Sequence, residues 1–133
     1  MSGIVWIRLA GLLGALGVII GAFGAHGFDK LPMVSGLSPT ELAKSHDWLE
    51  TGVQYHMYHA LAILGIGVAM MANPEVKLNA AGIAFFVGIL IFSGMLYVMA
   101  VTHVTKLGAV VPIGGASFII GWVVLLFTRY RPK

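Results

Sequence analysis

The sequence predicts an all-α integral membrane protein: four transmembrane helices in an antiparallel bundle, with a short amphipathic surface helix between the first and second spans. Of its 133 residues, 59% are hydrophobic and only 10% are charged, whereas about a quarter of the residues in a soluble domain are charged. Four apolar segments, at residues 4–25, 52–72, 78–102 and 107–127, have about the 20 residues needed to cross a bilayer. The last three are joined by short connections, which favour antiparallel neighbours in a single membrane domain.

The composition also excludes several kinds of site and partner. The chain has no cysteine, so disulfides and thiolate metal sites are excluded. The net charge is +3, and basic residues are concentrated in the tail that contains Arg129, Arg131 and Lys133. This tail is too short for a nucleic-acid-binding arm, and beside an apolar segment it is typical of an anchor to lipid headgroups. Membrane lipid is therefore the expected partner, and nucleic acid is not.

The first span, residues 4–25, is rich in glycine. The glycines are spaced three and four apart and fall on one side of a helix: Gly11, Gly14, Gly17, Gly21 and Gly24. This spacing predicts a helix that packs closely against a neighbour. His26-Gly27 then predicts the end of the helix, with Gly27 as a left-handed cap.

The run Ser38-Pro39-Thr40-Glu41 is a specific signal for the start of a helix, with a capping serine, proline in the first turn and glutamate at the third position. The helix that follows, residues 39–50, is amphipathic and is predicted to lie at the membrane surface. Thr51-Gly-Val-Gln54 repeats the capping pattern, so we expect the chain to turn there and to enter the membrane at residue 52. The alternative is one unbroken helix from Pro39.

The third and fourth spans carry small residues at helical spacing. Asn73-Pro74 ends the second span, and only a short polar stretch precedes the third. Pro112 lies inside the predicted fourth span, where it removes one backbone hydrogen bond and predicts a kink. The predicted packing positions of these two spans are Ala81, Ala84, Gly88, Gly114, Ser117 and Gly121.

The distribution of lysine and arginine predicts the orientation. Four spans place both termini on one side, together with Lys77, the basic tail and, near it, Arg8. On the opposite side fall Lys30, Lys44 and Lys106. The positive-inside rule therefore favours cytoplasmic termini in a multi-pass protein of the inner (plasma) membrane. We expect Arg8, inside the first span, to snorkel or to pair with Glu75.

By this topology all five histidines fall on the extracytoplasmic side. Polar side chains at membrane depth need partners within the protein, because lipid supplies none. We therefore predict a polar network with His59 at its centre, in contact with His26 of the first span and Tyr97 of the third. The predicted members are His26, Tyr55, His56, His59, Ser93 and Tyr97.

The same histidines leave a metal site open as an alternative. His26, His56 and His59 could bind a divalent metal together, and haem ligation is a further alternative. The spacing of His56 and His59, three residues apart, is compatible with metal binding but is not specific. No catalytic motif is found, and no acidic residue lies inside a predicted span, which disfavours ion-coupled transport.

Several ordered motifs resemble a known family. They are Gly21-Ala-Phe-Gly-Ala-His26, Tyr55-His-Met-Tyr-His-Ala-Leu-Ala62, Phe92-Ser-Gly-Met-Leu-Tyr97, and Pro112-Ile-Gly-Gly115 with Gly121-Trp122. Over nearly the whole chain the sequence resembles the small four-helix membrane proteins called the transmembrane protein 256 family, also domain of unknown function 423. The resemblance implies a protein of bacterial inner membranes or mitochondria with no assigned molecular function and no known catalytic residue. The matching positions are His26, Tyr55, His59, Ser93, Tyr97 and Pro112.

Taken together, the residues favour a structural or binding membrane protein without catalytic residues or a cofactor. Its expected role is to bind lipid or a partner membrane protein, or to form a homo-oligomer, because glycine seams on three helices exceed what one small bundle needs. The alternatives from other classes are a metal- or haem-binding protein in redox or ion handling, and a small transporter or channel component.

Overall fold

The computed structural model describes residues 1–128, and within them every regular element is helical. Four helices are long and apolar enough to cross a membrane, which confirms the predicted fold class. The first two are α1 (Gly3–His26) and α2 (Pro39–Ala72). The third span (Asn79–Thr102) consists of α3 (Asn79–Gly88), a π-helical turn (Ile89–Ser93) and α4 (Gly94–Thr102). The fourth span (Thr105–Leu126) consists of a 3-10 turn (Thr105–Ala109) and α5 (Val111–Leu126). The basic tail, with its predicted anchoring role, lies outside the described residues.

Helix α2 begins where the sequence predicts, at Ser38. The Ser38 hydroxyl accepts a bond from the Glu41 N–H at 3.4 Å, and the Glu41 carboxylate accepts one from the Ser38 N–H at 3.0 Å. The Ser38 hydroxyl also donates to this carboxylate at 2.6 Å, and this bond lowers the pKa of Glu41. The reciprocal arrangement satisfies backbone donors that the first turn of a helix leaves unpaired.

The predicted turn at Thr51 is wrong, and the alternative of one unbroken helix describes α2. Its 34 residues continue through Thr51, because Gly52 is buried in the helix against the Tyr97 ring and has no need of a cap. At about 1.5 Å per residue α2 is roughly 51 Å long, against about 30 Å of hydrocarbon. The predicted surface helix, residues 39–50, is therefore the protruding start of α2 rather than a separate element.

Helices α1 and α2 are antiparallel and make close contact along glycines. A Cβ on Gly3 would lie 2.6 Å from the carbonyl oxygen of Gly67, and one on Gly67 would lie 2.9 Å from the carbonyl oxygen of Gly3. Farther along, Gly17 faces Met57, and a Cβ on Gly24 would lie 2.8 Å from Leu49. Two backbones can approach this closely only where no side chain separates them.

The predicted glycine seam of α1 needs a correction. Gly17, Gly21 and Gly24 face α2, but a Cβ on Gly11 or Gly14 would meet nothing within 4 Å. Gly14 is therefore not a packing position. Gly14 lies on nearly the same side of α1 as Gly21, but no atom of α2 approaches its Cβ position within 4 Å.

The third span and α5 pack by placing phenylalanine rings on glycines. Gly88 faces the ring of Phe118, and Gly121 faces the ring of Phe85. At the same interface Gly114 contacts the backbone of Phe92. The hydroxyl of Ser117 donates to the carbonyl oxygen of Ala84 at 2.7 Å.

Two other predictions about helix ends are wrong. Gly27 ends α1 with φ −125°, not in the left-handed region, and its N–H donates to the Phe23 carbonyl. The left-handed cap is instead His103, which follows α4 with φ 58°. Pro112 does not kink a helix, because α5 begins at Val111 and proline occupies the first turn, where its missing N–H is no loss.

The bundle has two ends that differ in chemistry. We call the end with residues 27–38 and His103 the loop end, and the end with Ser2 and Asn79 the terminal end. At the terminal end the Trp6 indole donates to the Asn79 side-chain oxygen at 2.8 Å, joining α1 to α3. The predicted pair of Arg8 and Glu75 does not form: within residues 1–128 the only acidic and basic side chains within 4 Å of each other are Asp29 and His46.

The Gly3–Gly67 contact makes a prediction with a matched control. Gly67→Ala should destabilise the fold by about 1–3 kcal/mol, because the new methyl group meets the backbone of α1. Gly65→Ala, two residues away with nothing within 4 Å of its Cβ, should be neutral or stabilise by about 0.5–1 kcal/mol. Thermal unfolding in detergent measures both, and equal midpoints would contradict the assigned contact.

Candidate functional site

His59 lies near the middle of the bundle, between Phe85 and Phe118, and has both ring nitrogens bonded. Its Nδ1 lies 2.8 Å from the backbone carbonyl oxygen of Tyr55, and the indole Nε1 of Trp122 lies 3.2 Å from its Nε2. A carbonyl only accepts and an indole only donates, so Nδ1 carries the proton and Nε2 accepts. The ring is 4% exposed and stacks on Phe118 with a centroid distance of 3.5 Å. His59 thus joins α2 to α5 as a fully bonded neutral ring.

His56, one turn earlier on α2, makes a separate connection. Its Nδ1 lies 3.0 Å from the hydroxyl of Tyr97, which joins α2 to α4. Its Nε2 is buried with no hydrogen-bond partner in the described residues. The adjacent Cδ2 atom is 3.6 Å from the position that a Cβ on Gly17 would occupy, so this edge of the ring faces α1.

The predicted single network around His59 is therefore wrong in its connections. His59 bonds neither His26 nor Tyr97; its partners are Trp122 and the Tyr55 carbonyl. His26 is exposed at the end of α1 and joins no side chain by a hydrogen bond within the described residues. Ser93 is fully buried and its hydroxyl has no partner within residues 1–128.

Tyr55 contributes its backbone and its ring rather than its hydroxyl. The ring is 39% exposed and lies 4.7 Å, centroid to centroid, from Phe92. The predicted metal ligands His26, His56 and His59 are not brought together, because the first is exposed and the other two are buried in separate contacts. Within residues 1–128 no three His, Asp or Glu residues are placed to hold a metal ion.

Sequence reasoning missed three polar contacts, two of them at the loop end. Trp122 is not recognisable as the partner of His59, because the two are 63 residues apart and their pairing depends on how α5 packs. The buried Ser45 hydroxyl bonds Nε2 of His103 at 2.7 Å, and so ties α2 to the end of α4. His46 and Asp29 pair at 2.6 Å across the loop after α1.

Two grooves open on the surface of the bundle. The first lies between α2 and α5, has a volume of about 710 Å³, and is walled largely by aromatic rings. Its lining includes Tyr55, Tyr58, His59, Phe92, Phe118 and Trp122. We call it the aromatic groove. On its α5 side the wall is low, because Gly115 has no side chain and Ala116 has only a methyl group.

The second groove lies between the loop-end halves of α1 and α2, with a volume of about 560 Å³. Its α1 wall consists of Gly21, Gly24 and Ala25. Its α2 wall carries the polar residues His46, Glu50 and Gln54 and the apolar residues Leu49 and Val53. We call it the α1–α2 cleft.

Comparison with known proteins identifies relatives over almost the whole chain. Residues 20–115 match the family described as "Protein of unknown function (DUF423)". The chain is 40% identical to the UPF0382 membrane protein YwdK of Bacillus subtilis over 128 residues, which are 96% of this chain and 97% of that protein. It is 36% identical to the UPF0382 inner membrane protein YgdD of Escherichia coli K12 over 124 residues, 93% of this chain and 88% of that protein. No solved structure matches.

The bond between His59 and Trp122 can be tested by removing its donor alone. Trp122→Phe should destabilise the fold by about 1–3 kcal/mol, because it leaves the buried Nε2 of His59 without a partner. Trp48→Phe is the control, since the Trp48 indole makes no hydrogen bond in the described structure. Thermal unfolding in detergent compares the two, and equal shifts would show that the Trp122 bond contributes nothing specific.

Proposed function

This chain belongs to the DUF423 family of UPF0382 membrane proteins, and from that membership and the shape of its surface we propose that it is a lipid-binding protein. The proposed ligand is an acyl chain of a membrane lipid held in the aromatic groove. The observation that carries the proposal is a groove of about 710 Å³ on the side of a membrane protein, where lipid tails are the surrounding medium.

The lining of the aromatic groove supports an apolar ligand. Tyr58, Ile119 and Trp122 are 54%, 65% and 50% exposed, so they line an open surface rather than a closed core. Binding sites for small molecules are generally concave and mostly apolar, with few polar groups. Because tails and side chains are equally apolar, affinity here would come from shape and dispersion contacts rather than from hydrophobic transfer.

The rigidity of the groove also supports binding. Its floor is fixed by the stack of His59 on Phe118, with planes 7° apart, and by the bond from Trp122 to His59. A preformed surface loses little conformational entropy when a flexible ligand enters, which favours binding. Both polar atoms of the His59 ring are engaged, so the groove presents no free histidine base. We therefore propose binding without catalysis and without a cofactor.

We also propose that the protein lies in the inner (plasma) membrane with both termini in the cytoplasm. Support comes from the name of the E. coli relative, an inner membrane protein, and from the excess of Lys and Arg on the terminal side of the sequence. A green fluorescent protein fused to the C-terminus should then fluoresce, and a periplasmic alkaline phosphatase fused there should be inactive. The opposite pattern would reverse the orientation.

The groove proposal is tested by filling the groove from its low wall. Ala116→Leu should reduce the number of lipids that stay bound after release from nanodiscs, as counted by native mass spectrometry. If the lipid loses about ten atom contacts, at roughly 0.1–0.2 kcal/mol each, its affinity falls about five-fold or more.

The matched control is Ala80→Leu, the same change at an exposed alanine of the third span at the terminal end. It should leave lipid retention unchanged. Equal retention by the wild type and both variants, or equal loss in both variants, would reject the aromatic groove as the binding site.

A further inference from the structure

We propose that the α1–α2 cleft binds the primary ammonium headgroup of a membrane lipid such as phosphatidylethanolamine. This cleft lies on a different pair of helices from the aromatic groove, so the inference does not depend on the function proposed above. It rests on the shape of the cleft, the charges on its walls, and its depth in the membrane.

The shape of the cleft follows from the glycines of α1. A Cβ on Gly24 would lie 2.8 Å from Leu49, and one on Gly21 would lie 3.3 Å from Val53, so the helices meet at the base of the cleft. Above this contact the α1 wall is only glycine and the methyl group of Ala25. The room above the base, about 560 Å³, is larger than the few atoms of an ammonium headgroup need.

The opposite wall places polar groups in a row. His46, Glu50 and Gln54 are four residues apart on α2, so they lie one above another along the cleft. His46 is already paired with Asp29 at 2.6 Å, whereas Glu50 forms no ion pair within residues 1–128. The residues that line the cleft include neither lysine nor arginine. The wall therefore offers a carboxylate without a counter-ion, which selects a cation over a phosphate.

The depth of Glu50 adds to this preference. The bond from Ser45 to His103 fixes the level on α2 at which the third span ends. Glu50 is five residues farther along α2, roughly 7 Å nearer the membrane centre. By the length of α2 this is the end of its protruding segment, at the level of the lipid headgroups, and a lipid ammonium group is the cation that the surrounding medium supplies there.

The kind of ammonium group follows from the available contacts. A primary ammonium has three N–H donors, which the Glu50 carboxylate and the Gln54 amide oxygen could accept together. A quaternary ammonium donates none and is bound mainly by aromatic faces, and no phenylalanine, tyrosine or tryptophan lines this cleft. The cleft therefore fits ethanolamine-type lipids better than choline-type lipids.

A path for the lipid tail continues below the cleft. Gly14 is seven residues before Gly21, so the two lie on nearly the same side of α1. A Cβ on Gly14 would meet nothing within 4 Å, which leaves the surface of α1 open beneath the cleft. A lipid bound in the cleft would place its tail on this open surface, whereas a soluble amine has no tail to place there.

The experiment places the full chain in nanodiscs of equal parts phosphatidylethanolamine, phosphatidylcholine and phosphatidylglycerol and identifies the retained lipids by native mass spectrometry. The wild type should retain phosphatidylethanolamine about two- to five-fold over the other two, as expected for one partly exposed ion pair. Glu50→Gln should abolish that preference without abolishing lipid retention, because the aromatic groove is unchanged.

The matched control is Glu75→Gln, the same change at an exposed carboxylate of the terminal end, which should keep the wild-type preference. Gln54→Leu should weaken the preference without removing the charge, and thermal unfolding of each variant confirms that it is folded. Equal retention of phosphatidylethanolamine and phosphatidylcholine by the wild type, or an unchanged preference in Glu50→Gln, would overturn the proposal.

Discussion

The structure depends on one constraint: lipid offers no hydrogen-bond partner, so most buried polar side chains bond within the protein, Nε2 of His56 and the Ser93 hydroxyl being exceptions in residues 1–128. Helix α2 makes most of the hydrogen bonds that meet this need. His59 reaches α5 through Trp122, and His56 reaches α4 through Tyr97, so two neighbouring turns of one helix hold two different partners. Near the loop end Ser45 adds a third connection, to His103. Helix α2 is thus joined by side-chain hydrogen bonds to α4, to α5 and to the residue that ends α4.

Close packing through glycines joins helices that the polar hydrogen bonds do not join. Glycines let α1 and α2 meet backbone to backbone at Gly3 and Gly67, while phenylalanine rings on Gly88 and Gly121 join the third span to α5. These two modes leave different surfaces. The α1–α2 cleft lies beside glycines of α1, and the aromatic groove is lined by the aromatic side chains of α2, α5 and the π-helical turn.

The sequence was most informative where local chemistry decides the structure. The number of spans follows from apolar length, and the start of α2 follows from the reciprocal bonds of Ser38 and Glu41, which involve residues three apart. The similar pattern at Thr51 formed no cap, because tertiary contact of Gly52 with Tyr97 favours an unbroken helix. Partners were the least predictable: pairing of His59 with Trp122 rather than His26 depends on the rotation of three helices, which apolar periodicity fixes only loosely.

The π-helical turn at Ile89–Ser93 lets one span serve two neighbours. A single inserted residue advances the remainder of a helix by about 100° about its axis. In the third span the half before the turn directs Phe85 and Gly88 at α5, and the half after it directs Tyr97 at α2. The inserted residue therefore rotates the second half of the span relative to the first, so the two halves present different faces to their neighbours. One continuous span can therefore place ring-on-glycine contacts against α5 in its first half and a tyrosine hydroxyl against His56 of α2 in its second half.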